Sequence, residues 1–227
     1  ESCTTVMHKM FARGADPNPV VARWPTAEFN AILPLKAGSL VTLAASPGGG
    51  KTSLAAQVAG ETSKTCKRGA VLYLTLEMSQ EEIMAVIIGQ RTQQTSNELG
   101  GEISKSDADF AKDVCSDLYE GGTVNIVDAG DISPADICKF VRIASMRAEG
   151  GLKLVVVDHA HLIGQSNSNA TAIEHLTEMT RQMKLLAKET GTCILLLAQL
   201  NVMGQKSGHD KQGKENNAIQ PSITALR

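Results

Sequence analysis

The fold class this sequence predicts is α/β: a mostly parallel, twisted sheet flanked by helices. Two observations carry that prediction. Five short apolar, β-branched runs alternate with helical patterns along the chain. Most of these runs are continuously apolar rather than alternating, which marks strands buried on both faces. Strands separated by helices build βαβ units and an open sheet.

The strand candidates are "SLVTLAA" (Ser39–Ala45), "AVLYLTLE" (Ala70–Glu77), "TVNIVDA" (Thr123–Ala129), "LKLVVVDHA" (Leu152–Ala160) and "TCILLLAQL" (Thr192–Leu200). Helical patterns fill the intervals. Thr52–Thr65 follows three glycines. Ser79–Arg91 opens with Ser79 as N-cap and Glu82 three residues later, the reciprocal capping-box pattern. Asp107–Leu118 comes next, then Pro134–Ala148 with Ser133 as its cap and proline in first position. Ala172–Glu189 sets Ile173, Leu176, Met179, Met183, Leu186 and Ala187 on one face, and Gly191 stops it. Residues 1–37 have weak periodicity and read as an N-terminal lead-in; residues 38–227 read as one domain. "NVMGQKSGHDKQGKENNAIQPS" (Asn201–Ser222) is polar and without periodicity, a loop or tail pattern.

Bulk properties narrow the class. A chain of 227 residues is long enough for one large buried core. Lys and Arg number 22 against 24 Asp and Glu, a net charge of −2. No global basic field marks nucleic acid, so any such binding must come from a local patch or a ring of subunits. The five cysteines are odd in number and form no C-x-x-C pair, which predicts reduced thiols rather than disulfides or zinc. No apolar run reaches membrane-spanning length and no signal-peptide core is present, so a cytoplasmic protein with no membrane partner is expected.

The chemistry begins at "LAASPGGGKTSLAAQVA" (Leu43–Ala59). The phosphate-loop template is G-x-x-x-x-G-K-[ST], and Gly50-Lys51-Thr52 fit it while Ala45 stands at the first glycine. In such a loop, Ser46, Pro47, Gly48, Gly49, Gly50, Lys51, Thr52 and Ser53 surround the phosphates of ATP, with backbone N–H groups turned inward. Lys51 reaches the β and γ phosphates, the Thr52 hydroxyl takes Mg²⁺, and the helix N-terminus adds partial positive charge. Asp158 ends the run "LVVVD" at the carboxyl edge of a sheet, where ligands bind, and can support the Mg²⁺ shell. Glu77 and Gln199 end two further runs at that same edge. Glu77 is placed to polarise the attacking water, and Gln199 to sense the γ-phosphate. A helix-start acid favoured by the dipole is the plainer reading of Glu77, and Gln199 alone is a weak signal.

These stations, in this order, resemble the RecA-like motor domain of the bacterial and phage replicative DNA helicase family, the DnaB type. "AASPGGGKTSLA" resembles its phosphate loop, "LYLTLEMSQEEI" its "SLEMS" motif, and "LVVVDHAHLI" its Walker B region. "EMTRQMKLLAKETGTCILLLAQLN" is similar to the helix and strand ending in "SQLN", and "PSITALR" to the start of a DNA-contacting loop. The resemblance implies a RecA-like P-loop NTPase in which Glu77, Lys51 and Gln199 are catalytic and Thr52 and Asp158 hold Mg²⁺. It implies Arg227 as a DNA contact, and in a ring Lys206, Lys211 and Lys214 join it around single-stranded DNA. The implied sheet order runs from Thr123–Ala129 at one edge through Ala70–Glu77, Leu152–Asp158 and Thr192–Ala198 to Ser39–Ala45. The partners implied are single-stranded DNA, further copies of the chain in a hexameric ring, and a primase or helicase loader. The chain departs from the pattern at Ala45, at Val86 where the family carries arginine, at His159 and His161, and at Val202. It stops before the segment that carries the family's Lys/Arg finger, so a motor domain truncated at its C-terminal end is expected. Residues 1–37 are too short for the family's collar domain, though "VMHKMFARG" (Val6–Gly14) suits a linker helix. A RecA- or KaiC-like ATPase or recombinase, and a nucleotide-switched assembly protein without motor function, are the competing readings.

Overall fold

The apolar runs become one sheet and the helical patterns cover its two faces. The structure is a computed structural model that describes residues 18–64, 66, 68, 70–92, 124–130, 132–160, 163 and 172–200. The expected helices at Val6–Gly14 and Asp107–Leu118, the polar segment Asn201–Ser222, His161, and Lys206, Lys211, Lys214 and Arg227 lie outside these residues. In chain order the elements are β1 (Val20–Ala22), α1 (Ala27–Ile32), β2 (Leu35–Lys36), β3 (Leu40–Ala45), α2 (Lys51–Ser63), β4 (Val71–Thr75), α3 (Gln80–Thr92), β5 (Val124–Asp128), α4 (Pro134–Arg147), β6 (Leu154–Asp158), α5 (Ala172–Thr190) and β7 (Cys193–Gln199).

The main sheet has the order β3-β7-β6-β4-β5, and every pairing in it is parallel. This is the order the resemblance implies. All five residues of β4 and of β6 are buried, as continuous apolar runs require, whereas the edge strand β5 exposes Asn125 and Asp128. Side chains leave each strand on alternate faces and divide the core in two. Val71, Tyr73, Leu154, Val156, Cys193, Leu195 and Leu197 pack under α2 and α3 with Ala55, Ala56, Ala59, Ile83 and Ile87. Leu72, Leu74, Val155, Val157, Ile194 and Leu196 pack on the other face against Ile137 and Val141 of α4 and Met179, Met183 and Leu186 of α5.

Caps set the helix starts. Ser79 Oγ accepts from Glu82 N at 3.2 Å and Glu82 Oε2 accepts from Ser79 N at 2.8 Å, the reciprocal box expected for α3. Ser133 Oγ accepts from Asp136 N, with Pro134 opening α4. On α5 the expected buried face holds from Leu176 to Ala187, but Ile173 is 53% exposed. It sits in the first turn, beyond the reach of the sheet, so periodicity alone overextends the face.

Part of the segment read as a weakly patterned lead-in is folded. β1 and β2 pair antiparallel around α1, and Trp24 and Leu35 join the core beside α2. Thr26 caps α1, and Trp24 Nε1 donates to the Leu33 carbonyl at 2.7 Å. The long connection from Arg23 N to Thr62 Oγ1, 3.1 Å, ties this unit to α2.

Candidate functional site

β3 runs straight into a tight turn and then α2. Gly48 and Gly50 have φ of +70° and +75°, a left-handed backbone that a side chain would strain. Gly50 is therefore the N-cap of α2, and it supplies no side-chain cap. The first-turn N–H groups are left open to the space in front of the helix. α3, α4 and α5 each place an acid in their first turn, but α2 has none and begins with Lys51. The two departures act together: an uncapped dipole end and a lysine make one positive pole. Lys51 is nearly buried, and its Nζ donates to the Ala45 and Ser46 carbonyls at 3.0 and 3.1 Å.

Sheet register brings the acids to this pole. Thr75 pairs with Asp158, and beyond the strand ends Leu76 N donates to the Asp158 carbonyl at 2.7 Å. Glu77 lies two residues past β4 rather than closing it. Thr75 Oγ1 accepts from Met78 N at 3.2 Å and donates to the Met78 carbonyl at 2.7 Å, and this turn holds Glu77 at the edge. Ala45 pairs with Gln199, and Leu200 N donates to the Ala45 carbonyl at 3.0 Å, which sets Gln199 beside the glycine loop.

Asp158 is 2% exposed. Its Oδ2 accepts from Thr52 Oγ1 at 2.9 Å and from the Tyr73 hydroxyl at 3.0 Å. His159 Nδ1 lies 2.7 Å from Asp158 Oδ1 and 3.0 Å from Glu77 Oε2. Neither contact is aligned as a hydrogen bond, so Asp158 Oδ1 and His159 Nδ1 are buried polar atoms without an aligned partner. A buried carboxylate oxygen without an aligned hydrogen bond and a nearby alcohol are the oxygen donors a hard cation such as Mg²⁺ takes, with the His159 ring nitrogen 2.7 Å from that carboxylate oxygen. Among the described residues no cluster of three or more His, Cys, Asp or Glu could hold a metal by itself. Burial, then the charge of Asp158 and its hydrogen bond, push the Tyr73 phenol well above its ordinary range.

Together these residues line a cleft of about 360 Å³: residues 47–53 on one wall, with Glu77, Met78, His159 and Gln199 opposite. Of the expected site residues, Pro47 through Ser53, Glu77 and Gln199 line the cleft, and Asp158 lies beneath it. Ser46 does not line it; its carbonyl holds Lys51 Nζ and Gly49 N from below. Val86, at the position where arginine was expected, packs against the core under α3. Sequence reasoning missed Tyr73 and set His159 aside. A phenol within an otherwise apolar strand was the available signal for the first, and adjacency to Asp158 for the second.

An uncapped, glycine-turned helix N-terminus at the carboxyl edge of an all-parallel sheet in this order defines a RecA-like P-loop NTPase fold. The chain matches the family model for the DnaB-like helicase C-terminal domain over residues 29–215, and it belongs to that family. It is similar to the replicative DNA helicase DnaB of Buchnera aphidicola subsp. Baizongia pistaciae, 29% identical over 168 residues, which cover 74% of this chain and 36% of that protein. It is also similar to the replicative DNA helicase DnaB of Haemophilus influenzae, 28% identical over 169 residues with the same coverage of each. The chain thus spans little more than a third of the length of these curated relatives. Among solved structures, a chain described as an ATPase domain superposes with a TM-score of 0.81 at 19% identity, over 99% of this chain and 76% of that one. A DnaB-like replicative helicase, described with its interactions with primase, superposes at 0.78 and 19% identity, over 99% of this chain and 51% of that one. Among the described residues, no helix is long and apolar enough to cross a membrane.

Proposed function

We propose that this chain is the ATP-hydrolysing motor domain of a replicative DNA helicase. It would act in the cytoplasm as a homo-oligomeric ring, hexameric by the family's pattern, moving along single-stranded DNA. The observation that carries the reading is the bond from Thr52 Oγ1 to Asp158 Oδ2 at 2.9 Å. It joins the start of α2 to a strand end 106 residues away, at the rim where Glu77 and Gln199 also stand.

The loop N–H groups take the phosphate oxygens, and the positive end of α2 favours their charge. Lys51 exchanges two carbonyl acceptors for phosphate oxygens, a stronger, charge-assisted partner. Thr52 and Asp158 are the residues that would hold Mg²⁺, which when bound neutralises charge on the β and γ phosphates. Glu77, with 61% of its side chain exposed and its Oε2 near His159, orients the attacking water and accepts its proton. Gln199 offers a neutral amide to the γ-phosphate. Through the chain that follows, its state passes to Lys206, Lys211, Lys214 and Arg227, the cations proposed to hold the DNA backbone. A primase or a helicase loader is the protein partner that goes with this role.

Steady-state ATP hydrolysis by the full natural chain, with and without single-stranded DNA, tests the reading. DNA should stimulate turnover. Lys51→Ala should lose nucleotide binding and turnover together. Glu77→Gln should keep binding and lose roughly 10²- to 10⁴-fold in turnover, the range for a general base. Tight ATP binding by the parent with no turnover in either condition would refute the motor.

A further inference from the structure

β4 carries a hydroxyl that the nucleotide reading leaves unused. Tyr73 sits at the centre of the strand with no exposed surface. Its register partner on β6 is Val156, two residues before Asp158 and on the same face of the sheet. The phenol spans that offset, and its O–H donates to Asp158 Oδ2 at 3.0 Å. The same oxygen accepts Thr52 Oγ1 at 2.9 Å. Two donors from two different elements converge on one oxygen, so the carboxylate cannot rotate without breaking both bonds. Oδ1 makes no aligned hydrogen bond and faces the His159 ring nitrogen at 2.7 Å, which in turn lies 3.0 Å from Glu77 Oε2. Packing alone does not call for a tyrosine here. A phenylalanine would fill the same space under α2 and bury no polar atom.

We propose that Tyr73 is a positioning residue for the Mg²⁺ site: its hydroxyl pins Asp158 Oδ2 and turns Oδ1 toward the cation's shell. This rests on the reading of Asp158 as a Mg²⁺ support. Burial and the neighbouring carboxylate hold the phenol well above its ordinary value of 10.0, so it remains a donor across the physiological range. Partners that orient a metal-holding carboxylate change metal affinity without touching the metal.

Tyr73→Phe removes the hydroxyl and keeps the ring. Binding of a fluorescent ADP analogue to the full chain, first in EDTA and then across a Mg²⁺ titration, reads the effect without any turnover. The EDTA affinity should stay within about twofold, while the Mg²⁺ concentration for half-maximal response rises roughly tenfold, the low end for such outer partners. Tyr73→Leu should shift the titration in the same direction, and thermal melts establish that each variant is folded. Asp158→Asn separates this proposal from the reading beneath it. If Asp158→Asn abolishes the Mg²⁺ response and Tyr73→Phe leaves the titration at the parent's position, the role of Tyr73 is overturned and the metal site stands. If Asp158→Asn leaves the response intact, the metal reading fails and the proposal falls with it. Equal loss of affinity in EDTA and in Mg²⁺ by a folded Tyr73→Phe chain would assign the tyrosine to packing and overturn the proposal.

Discussion

Ala45 and Ser46 leave no room for a side chain at Gly49, which makes the glycine loop intolerant at that position. A Cβ added at Gly49 would stand 3.0 Å from the Ala45 Cβ and 3.0 Å from the Ser46 carbonyl oxygen. Gly49 is not among the glycines with positive φ, so the cost of Gly49→Ala is steric contact rather than backbone strain. Both neighbours are backbone or backbone-fixed, and they give way only if the loop moves by a few tenths of an ångström. Overpacking of this kind costs about 1–3 kcal/mol. On the proposed function the loop is the nucleotide cradle, so most of that cost should appear in nucleotide affinity. At about 1.4 kcal/mol per decade the loss is roughly 5- to 150-fold. Ala45→Gly in the same chain removes one of the two clashes and leaves the Ser46 oxygen, so it should restore part of the loss. Placing glycine at the end of β3 costs about 0.5–1 kcal/mol of its own. The coupling must therefore be taken from the full cycle of two single variants and the double variant. Fluorescent nucleotide titration gives the affinities, and urea unfolding gives the accompanying stabilities. Parent-like affinity and stability in Gly49→Ala, or a coupling of zero in the cycle, would refute the contact argument.

Two further outcomes test the rest of the fold. Trp24→Ala should cost about 3–5 kcal/mol in urea unfolding, because Trp24 is 4% exposed and its indole N–H is bonded to Leu33; a loss below about 1 kcal/mol would mean that the β1–α1–β2 unit does not share the core's cooperativity. Burial pushes the Cys193 thiol from its ordinary 9.0 up to about 11, with the Ser39 hydroxyl and Lys184 offsetting part of the rise. Its folded value is the raised one, so its contribution is fully present below pH 9.0 and is lost as pH rises through about 11. Two units correspond to roughly 2–3 kcal/mol, and Cys193→Ala should flatten that slope whatever it does to the absolute stability. Tyr73 adds its own loss only above 10.0, and burial also raises the Cys138 thiol from 9.0, so the difference between the parent and Cys193→Ala slopes from about pH 9 to 10 reads Cys193.

The legible part of this protein is the part written in short segments. "LVVVD" and "VLYLT" are buried strands because every residue but the last of each run is apolar or aromatic and packs into one helix layer or the other. Ser79 and Glu82, and Ser133 and Pro134, mark helix starts because a cap is satisfied within four residues. The loop from Pro47 to Ser53 was readable because left-handed turns demand glycine wherever they occur. The packed unit Val20–Lys36 was not readable in this way. Its strands are three and two residues long, too short for periodicity to register.

By itself the sequence determined the strands of the main sheet and the helices that cover it, their parallel arrangement, the glycine loop and the acid that ends β6, since each is encoded by neighbours along the chain. Only the tertiary structure decided which atoms meet. Thr52 and Asp158 are 106 positions apart, and Tyr73 and Asp158 are 85. Their contacts depend on the register in which β4 lies beside β6, and on which face each side chain leaves. Register is a property of the assembled sheet: a slip of one residue would turn Tyr73 away from α2 and leave Asp158 with one donor fewer.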